Sequence, residues 1–275
     1  MKNPARTWLA VLSVAVSVVV FVVPFAFIVL TAVKDPQQAS QLDFSWPRDF
    51  QLVDNFVQVV QARDYILIIA FINSVILTIA SVAVMVVLGA MVAFVLQRRV
   101  TRWTGLINFL VLSGLIIPPA VVPTIWVLQK AGLFGTLPGL ILVEIAFGLS
   151  FSILLFRAFI ATIPRELDEA AIIDGASPLR LFFRVIFPTL RSVIVTVIVV
   201  QSVAVFNDFT NPLYFLPGEQ NATVQLTLFN FQSQYSTSYN LLFMDILLIT
   251  IPPLIMFLFF NRQIVAGMTA GAVKG

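Results

Sequence analysis

The chain has 275 residues, of which 60% are hydrophobic and only 11% charged, with a mean hydropathy of +1.01. Soluble domains carry about 25% charged residues, so this composition excludes an ordinary globular fold and defines an integral membrane protein. The absence of Cys and His excludes a disulfide scaffold, a thiolate nucleophile and the usual zinc sites, and a net charge of +3 is too small to suggest nucleic acid.

A bilayer core needs about 20 apolar residues of helix, because backbone polar groups must be satisfied within the segment. Six stretches qualify. The first, about 8–33, runs from Trp8 to Val33 and is interrupted only by Pro24. It follows Lys2 and Arg6, but it is too long for a signal-peptide core and no small-residue cleavage site follows, so it reads as a retained helix. The second runs from about Tyr65 to Leu96 and carries Asn73 near its start. The third, about 106–128, contains Pro118, Pro119 and Pro123, and the fourth, about 137–160, contains Glu144. The fifth covers about 192–206 and ends beside Asn207 and Asp208; the sixth covers about 241–260 with Pro252 and Pro253. Prolines in spans are tolerated where neighbouring helices or a cavity satisfy the freed carbonyls, which places these helices inside a bundle.

Of the 16 Lys and Arg, only Lys34, Arg48, Arg63 and Lys130 fall on one side of this map. The rest, including Lys2, Arg6, Arg262 and Lys274, fall on the other side, which the positive-inside rule makes cytoplasmic. The prediction is an all-α polytopic membrane protein with six transmembrane helices and both termini cytoplasmic, forming a single membrane domain over residues 1–275. Its outer loops are 34–64 and 207–240; the latter holds Asp208 and Glu219 but no Lys or Arg.

The longest inner segment, 161–191, is organised rather than merely polar. Pro164 suits a helix start, and Glu166, Asp168 and Glu169 crowd the first turns, where the helix dipole favours anions. Leu167, Ala170 and Ala171 form a small apolar face. Gly175 supplies a left-handed stop, and Ser177-Pro178 restarts a second short helix as a cap followed by proline. The result is two short helices joined by a tight glycine bend.

Within the spans, Glu144 is read as the one deep carboxylate, and a charge there costs about 2.5–3.5 kcal/mol on insertion scales. Glu144, Asn73, Gln201, Asn207 and Asp208 are candidate translocation-pathway residues. Glu144 reads equally as a protonated or paired group that holds two helices together, while Asn73, Gln201 and Asn207 read first as glue between helices. The nucleotide-binding and hydrolase motifs Gly-x4-Gly-Lys-Ser/Thr, Gly-x-Gly-x-x-Gly and Gly-x-Ser-x-Gly are absent, so no catalytic residue, metal site or cofactor is expected in this chain.

The stretch Glu169-Ala170-Ala171, three residues, Gly175, nine residues, then Val185-Ile186-Phe187-Pro188 resembles the EAA loop of ABC importer permeases. Its departures from that pattern are Val185 for Ile and Phe187 for Leu. The terminal run from Asn261 to Gly275 resembles the tail of the six-helix permease subunit in maltose-type carbohydrate importers. Asn207-Asp208-Phe209 followed by Pro212 is similar to the segment that ends the fifth helix there. The resemblance implies a permease subunit for a sugar or sugar-like solute in a prokaryotic cell membrane. It implies docking on the ATP-binding subunit through Glu169, Ala170, Ala171, Asp174, Gly175 and Pro188. The implied partners are a second homologous permease chain, two ATP-binding subunits that carry ATP and magnesium, and an extracytoplasmic solute-binding protein. The rival reading is a stand-alone ion-coupled secondary transporter, in which intramembrane carboxylates carry protons or sodium.

Overall fold

A computed structural model describes residues 4–218, 221–232 and 237–272. Lys2 and Lys274 of the charge count, Glu219, and the 273–275 end of the tail lie outside the described residues. In chain order the helices are α1 (Pro4–Ala32), α2 (Pro36–Ala39), α3 (Leu52–Arg98), α4 (Thr104–Ile116), α5 (Val121–Lys130) and α6 (Leu137–Ile160). They continue with α7 (Glu166–Ile173), α8 (Pro178–Leu181), α9 (Phe187–Thr189), α10 (Arg191–Phe206), α11 (Thr210–Phe215) and α12 (Tyr239–Ala272). α3 is broken at Ala62–Tyr65, where Arg63, Asp64 and Tyr65 have positive φ, so the segment expected as the loop 34–64 contains a helix from Leu52 and the expected start of the span at Tyr65 falls at the break. A π-turn, Phe182–Ile186, separates α8 from α9, and a 3-10 helix covers Val224–Phe231. The fold is all-α: among the described residues the only strand-like pairing is a single bridge between Gln232 and Thr237.

Four helices are long and apolar enough to cross a membrane: the Val11–Ala32 part of α1, α3, α6, and the Tyr239–Phe260 part of α12. Two bent pairs bring the number of candidate spans to six. The segment expected as one span over 106–128 is α4 and α5, bent by 114° at their junction. Pro118 and Pro119 lie in that break; Ile117 is extended at ψ 122°, the conformation a following proline imposes. The segment Pro178–Thr189 meets α10 at 78°. There the Phe187 N–H bonds the Phe182 carbonyl, so the chain widens by one residue immediately before Pro188, which can offer no N–H of its own.

The chain divides into two compact units, Met1–Ile69 with Val224–Ile251, and Ala70–Thr223 with Pro252–Gly275. In the first, the C-terminal carbonyls of α1 are satisfied by a buried amide: Asn55 Nδ2 donates to Ala32 O at 2.8 Å and to Lys34 O at 2.9 Å. Asn240 Nδ2 in turn donates to Asn55 Oδ1 at 2.8 Å. Lys34 is fully buried, and its ammonium donates to the Asp43 carboxylate at 2.8 Å and to the Asp43 carbonyl at 2.7 Å. The segment after α1 is thereby folded back on a paired cation instead of leaving a buried charge alone.

That pairing predicts an acid transition. The Lys34 ammonium, then the Ser45 hydroxyl, hold the Asp43 carboxyl down at about 2, against an ordinary value of 3.8. A carboxyl depressed by folding contributes stability above its unfolded value, and that contribution is lost as pH falls through the folded one. Acidification from about pH 4 to pH 2 should therefore loosen residues 35–50, while Asp43→Asn should show no transition in that window. Trp46 fluorescence reports it once the other three of the 4 tryptophans are replaced by Phe.

The second unit is built around α6, which packs against α4, α10 and α11. One core joins the ends of α3 and α6 to the 161–191 loop: Ala93, Leu96, Phe156 and Ile160 meet Ala171, Leu181, Phe182, Ile186 and Leu190. A second core gathers Leu77, Met85, Leu140, Val143, Phe215 and Leu216.

Candidate functional site

The 161–191 loop owes its shape to backbone chemistry. Arg165 is the N-cap of α7, so Pro164 lies one residue before the cap. Glu166, Asp168 and Glu169 occupy its first turn. Its end is a Schellman turn: Ala176 N–H bonds Ala171 O at 2.9 Å, Gly175 N–H bonds Ile172 O at 3.0 Å, and Gly175 has φ +77°. This six-to-one and five-to-two pattern needs a left-handed residue after the cap, which glycine supplies without cost to a side chain. The Ser177 side chain then accepts from Arg180 N–H and opens α8, with Pro178 in its first turn.

Around this turn the residues expected to dock on a partner separate into two groups. Glu169, Ala170, Asp174, Gly175 and Pro188 are exposed, whereas Ala171 is buried in the core beneath the loop. The apolar face read as Leu167, Ala170 and Ala171 is therefore not one face. The inward face of α7 is Asp168 and Ala171, one turn apart. The outward face presents Leu167, Ile172 and Ile173, the last 85% exposed. An eight-residue helix that shows two isoleucines and a carboxylate to its surroundings is incompletely buried by its own chain.

Inside the membrane-spanning part, Glu144, Gly148 and Ser152 recur every four residues and share one face of α6. Glu144 is buried, and its Oε1 accepts from Asn211 Nδ2 at 3.1 Å. Asp208 Oδ1 accepts from the N–H groups of Thr210 at 2.8 Å and Asn211 at 3.2 Å, which fixes the start of α11 and hence the position of the Asn211 amide. Glu144 and Asp208 are thus brought together through Asn211. Further along the same face, Gln201 Nε2 donates to Gly148 O at 2.8 Å and Ser152 Oγ at 3.0 Å, bonds that lock α10 to α6. Asn207 is exposed, with its Nδ2 on Val203 O at 3.0 Å. Asn73 stands apart, donating to Ala222 O at 3.1 Å.

Glu144 is not the only deep carboxylate. Asp245, in α12, is completely buried, and its Oδ2 accepts from Thr227 Oγ1 at 2.9 Å. The residue lies inside the sixth apolar stretch, close to its start, and this position marked it. Asn211 carried no such signal, because its role depends on a turn at Asp208 that brings α11 back against α6. Among the described residues no group of three or more Asp or Glu is placed to hold a metal ion.

The helices and the exposed glycine-bent loop define a class: a polytopic helical membrane protein with a short, exposed helix outside its spans. The family described as binding-protein-dependent transport system inner membrane component matches residues 85–269. The chain is 32% identical over 209 residues to the melibiose/raffinose/stachyose import permease protein MelC of Bacillus subtilis (strain 168), covering 75% of this chain and 76% of that one. It is 30% identical over 260 residues to the diacetylchitobiose uptake system permease protein NgcG of Streptomyces coelicolor, covering 93% of this chain and 85% of that one. A solved bacterial ABC transporter involved in import of the acidic polysaccharide alginate shares the fold, with a TM-score of 0.81 at 17% identity, covering 95% of this chain and 98% of that one. The chain belongs to the binding-protein-dependent transport system inner membrane components. It is a multi-pass transport component and not an enzyme, and membership favours this reading over the stand-alone carrier.

Proposed function

We propose that the chain is one permease subunit of an ATP-driven importer for a sugar or oligosaccharide, in the cell membrane of a prokaryote with both termini cytoplasmic. The partners are a second homologous permease subunit, two ATP-binding subunits that hold ATP and magnesium, and an extracytoplasmic solute-binding protein that docks on the outer loops. The observation that carries this reading is α7. It sits at the EAA spacing on a Schellman turn, with Glu169, Ala170 and Ile173 exposed as a docking surface for an ATP-binding subunit, and Asp174, Gly175 and Pro188 shaping its approach. Ala171 serves that surface from beneath by holding α7 on the core. The Glu144–Asn211–Asp208 cluster, with Gln201, Asn207 and Asn73, supplies polar groups along the pathway; amide and carboxyl groups suit a solute rich in hydroxyls. The sugar names of the relatives, MelC and NgcG, support the solute class.

Affinity purification of the chain from native membrane in mild detergent, followed by ATPase assay, tests this. The wild type should bring down an ATP-binding subunit with ATPase activity. Glu169→Arg reverses the charge at the centre of the docking helix and should weaken that association by about 2 kcal/mol, roughly 30-fold, or leave ATP hydrolysis uncoupled. A chain that purifies alone without ATPase overturns the importer reading.

A further inference from the structure

Arg98 ends α3, and its guanidinium reaches the head of α7. Nε lies 2.7 Å from Asp168 Oδ2, while an Nη2 proton is given to the Ile163 carbonyl at 3.0 Å and a longer contact reaches the Pro164 carbonyl at 3.5 Å. Both side chains are close to fully covered, 9% exposed for Arg98 and 13% for Asp168, so this is not a solvated rim pair of negligible weight. Arg98 Nε has no aligned hydrogen-bond acceptor, so the carboxylate is held by charge while Nη2 of the same guanidinium supplies the directed bond to the preceding carbonyl; a lysine ammonium is a single point charge on a flexible stem. One turn beyond Asp168, Ala171 enters the same core as Ala93 and Leu96 of α3. The inward face of α7 is therefore one ion pair directed at the end of α3 and one apolar residue set in the core beneath the loop.

The connection matters because α3 and α7 are far apart along the chain. α6 is joined to α7 by the short segment 161–165, so any displacement of α7 reaches α6 through covalent bonds. α3 has no such link: Arg98 and Ile163 are 65 residues apart. We propose that Arg98 is a positioning residue that makes α7 and the end of α3 one lever, so that movement of α7 is passed into α3 through the Arg98–Asp168 pair. This rests on α7 being the contact for an ATP-binding subunit.

The chain has no cysteine, so introduced cysteines can be spin-labelled within the full transporter complex, assembled with cysteine-free partner subunits. Double electron–electron resonance between Leu88→Cys on α3 and Glu166→Cys on α7 follows the proposed lever. Leu88→Cys with Leu142→Cys, on α3 and α6, reports whether α3 keeps step with the span that is covalently joined to α7. In the wild-type complex, trapping with ATP, magnesium and vanadate should leave both the α3–α7 and the α3–α6 distances single and unchanged, because both spans follow α7. In Arg98→Gln both distances should split or broaden on trapping, since α6 follows α7 through the chain while α3 lags, and ATP turnover should persist. The exchanged pair, Arg98→Asp with Asp168→Arg, should recover the single α3–α7 distance, and Arg98→Lys should recover it in part. Distances that stay single and unchanged on trapping in Arg98→Gln overturn the lever. If Arg98→Gln does not assemble, the exchanged pair and Arg98→Lys decide: wild-type distances in Arg98→Lys, or split distances in an assembled exchanged pair, overturn it. A wild-type chain that assembles with no ATP-binding subunit, or whose complex shows no ATP turnover, fails at the importer reading instead.

Discussion

Replacing Gly139 by Ala should destabilise the protein, although alanine is the better helix former by about 1 kcal/mol. Gly139 lies in the first turn of α6, capped by Thr136, whose Oγ1 accepts the Gly139 N–H at 3.2 Å and donates to the Leu133 carbonyl at 2.7 Å. That same carbonyl oxygen sits over Gly139. An added Cβ would collide with it and lie 3.0 Å from the carbonyl carbon and 3.2 Å from Thr136 Oγ1. The obstacle is backbone, and the backbone is tied on both sides. Leu133 and Phe134 donate N–H groups to Leu128 O, Gly135 N–H donates to Phe215 O, and Asn221 Nδ2 donates to Gly135 O.

Overpacking of this kind costs about 1–3 kcal/mol. A carbonyl that cannot swing away places Gly139→Ala near the top of that range, leaving a net loss of roughly 2 kcal/mol after the propensity gain. Gly105→Ala is the internal control: it sits in the first turn of α4, and a Cβ there meets nothing within 4 Å. Thermal unfolding of the full chain in detergent should show the midpoint falling by several degrees for Gly139→Ala and holding or rising for Gly105→Ala. Equal shifts in the two variants would contradict the close approach at Leu133.

Much of the fold is visible in the chain because lipid leaves few options. An apolar run near 20 residues must be a helix, and so α1, α6, α12 and the part of α3 beyond Tyr65 could be read from hydropathy alone, whereas the helical turns from Leu52 lie in what reads as a loop. Pro118 and Pro119 announced a disturbance, but hydropathy does not distinguish a kinked span from two helices at 114°; the angle depends on what the freed carbonyls find nearby. In the loop, Gly175 and Ser177-Pro178 were legible because left-handed stops and proline starts are local chemistry. The facing of α7 was not. Leu167, Ala170 and Ala171 satisfy helical spacing, yet the contact that orients the helix is Asp168 with Arg98, a pairing between distant parts of the sequence. Asn211 illustrates the same limit, since its partner Glu144 is 67 residues away. The residues that sequence reading missed are those whose role is made by tertiary contact, while Asp245 was overlooked although its apolar surroundings marked it.

At Gly175 a graded series should separate backbone strain from steric docking. The residue occupies φ +77°, and a Cβ built there meets nothing within 4 Å, so within this chain a substitution costs conformation only. Holding a non-glycine residue in the left-handed region costs roughly 1–2 kcal/mol, least for Asn, more for Ala, and most for β-branched Val. If the Schellman turn sets the direction of α7, coupled ATPase activity of the complex should fall in the order Gly, Asn, Ala, Val, with Gly175→Val showing the largest loss. If glycine is instead needed because a partner surface approaches that point closely, size governs, and Ala should be tolerated better than Asn. The two mechanisms thus differ in the relative order of Asn and Ala. A strain of about 2 kcal/mol spread over the short helix α7 would displace it without unfolding the spans, so the thermal midpoint of Gly175→Val should change little while coupling is lost. A midpoint that falls in step with activity would show that the turn serves the fold, not the movement of α7.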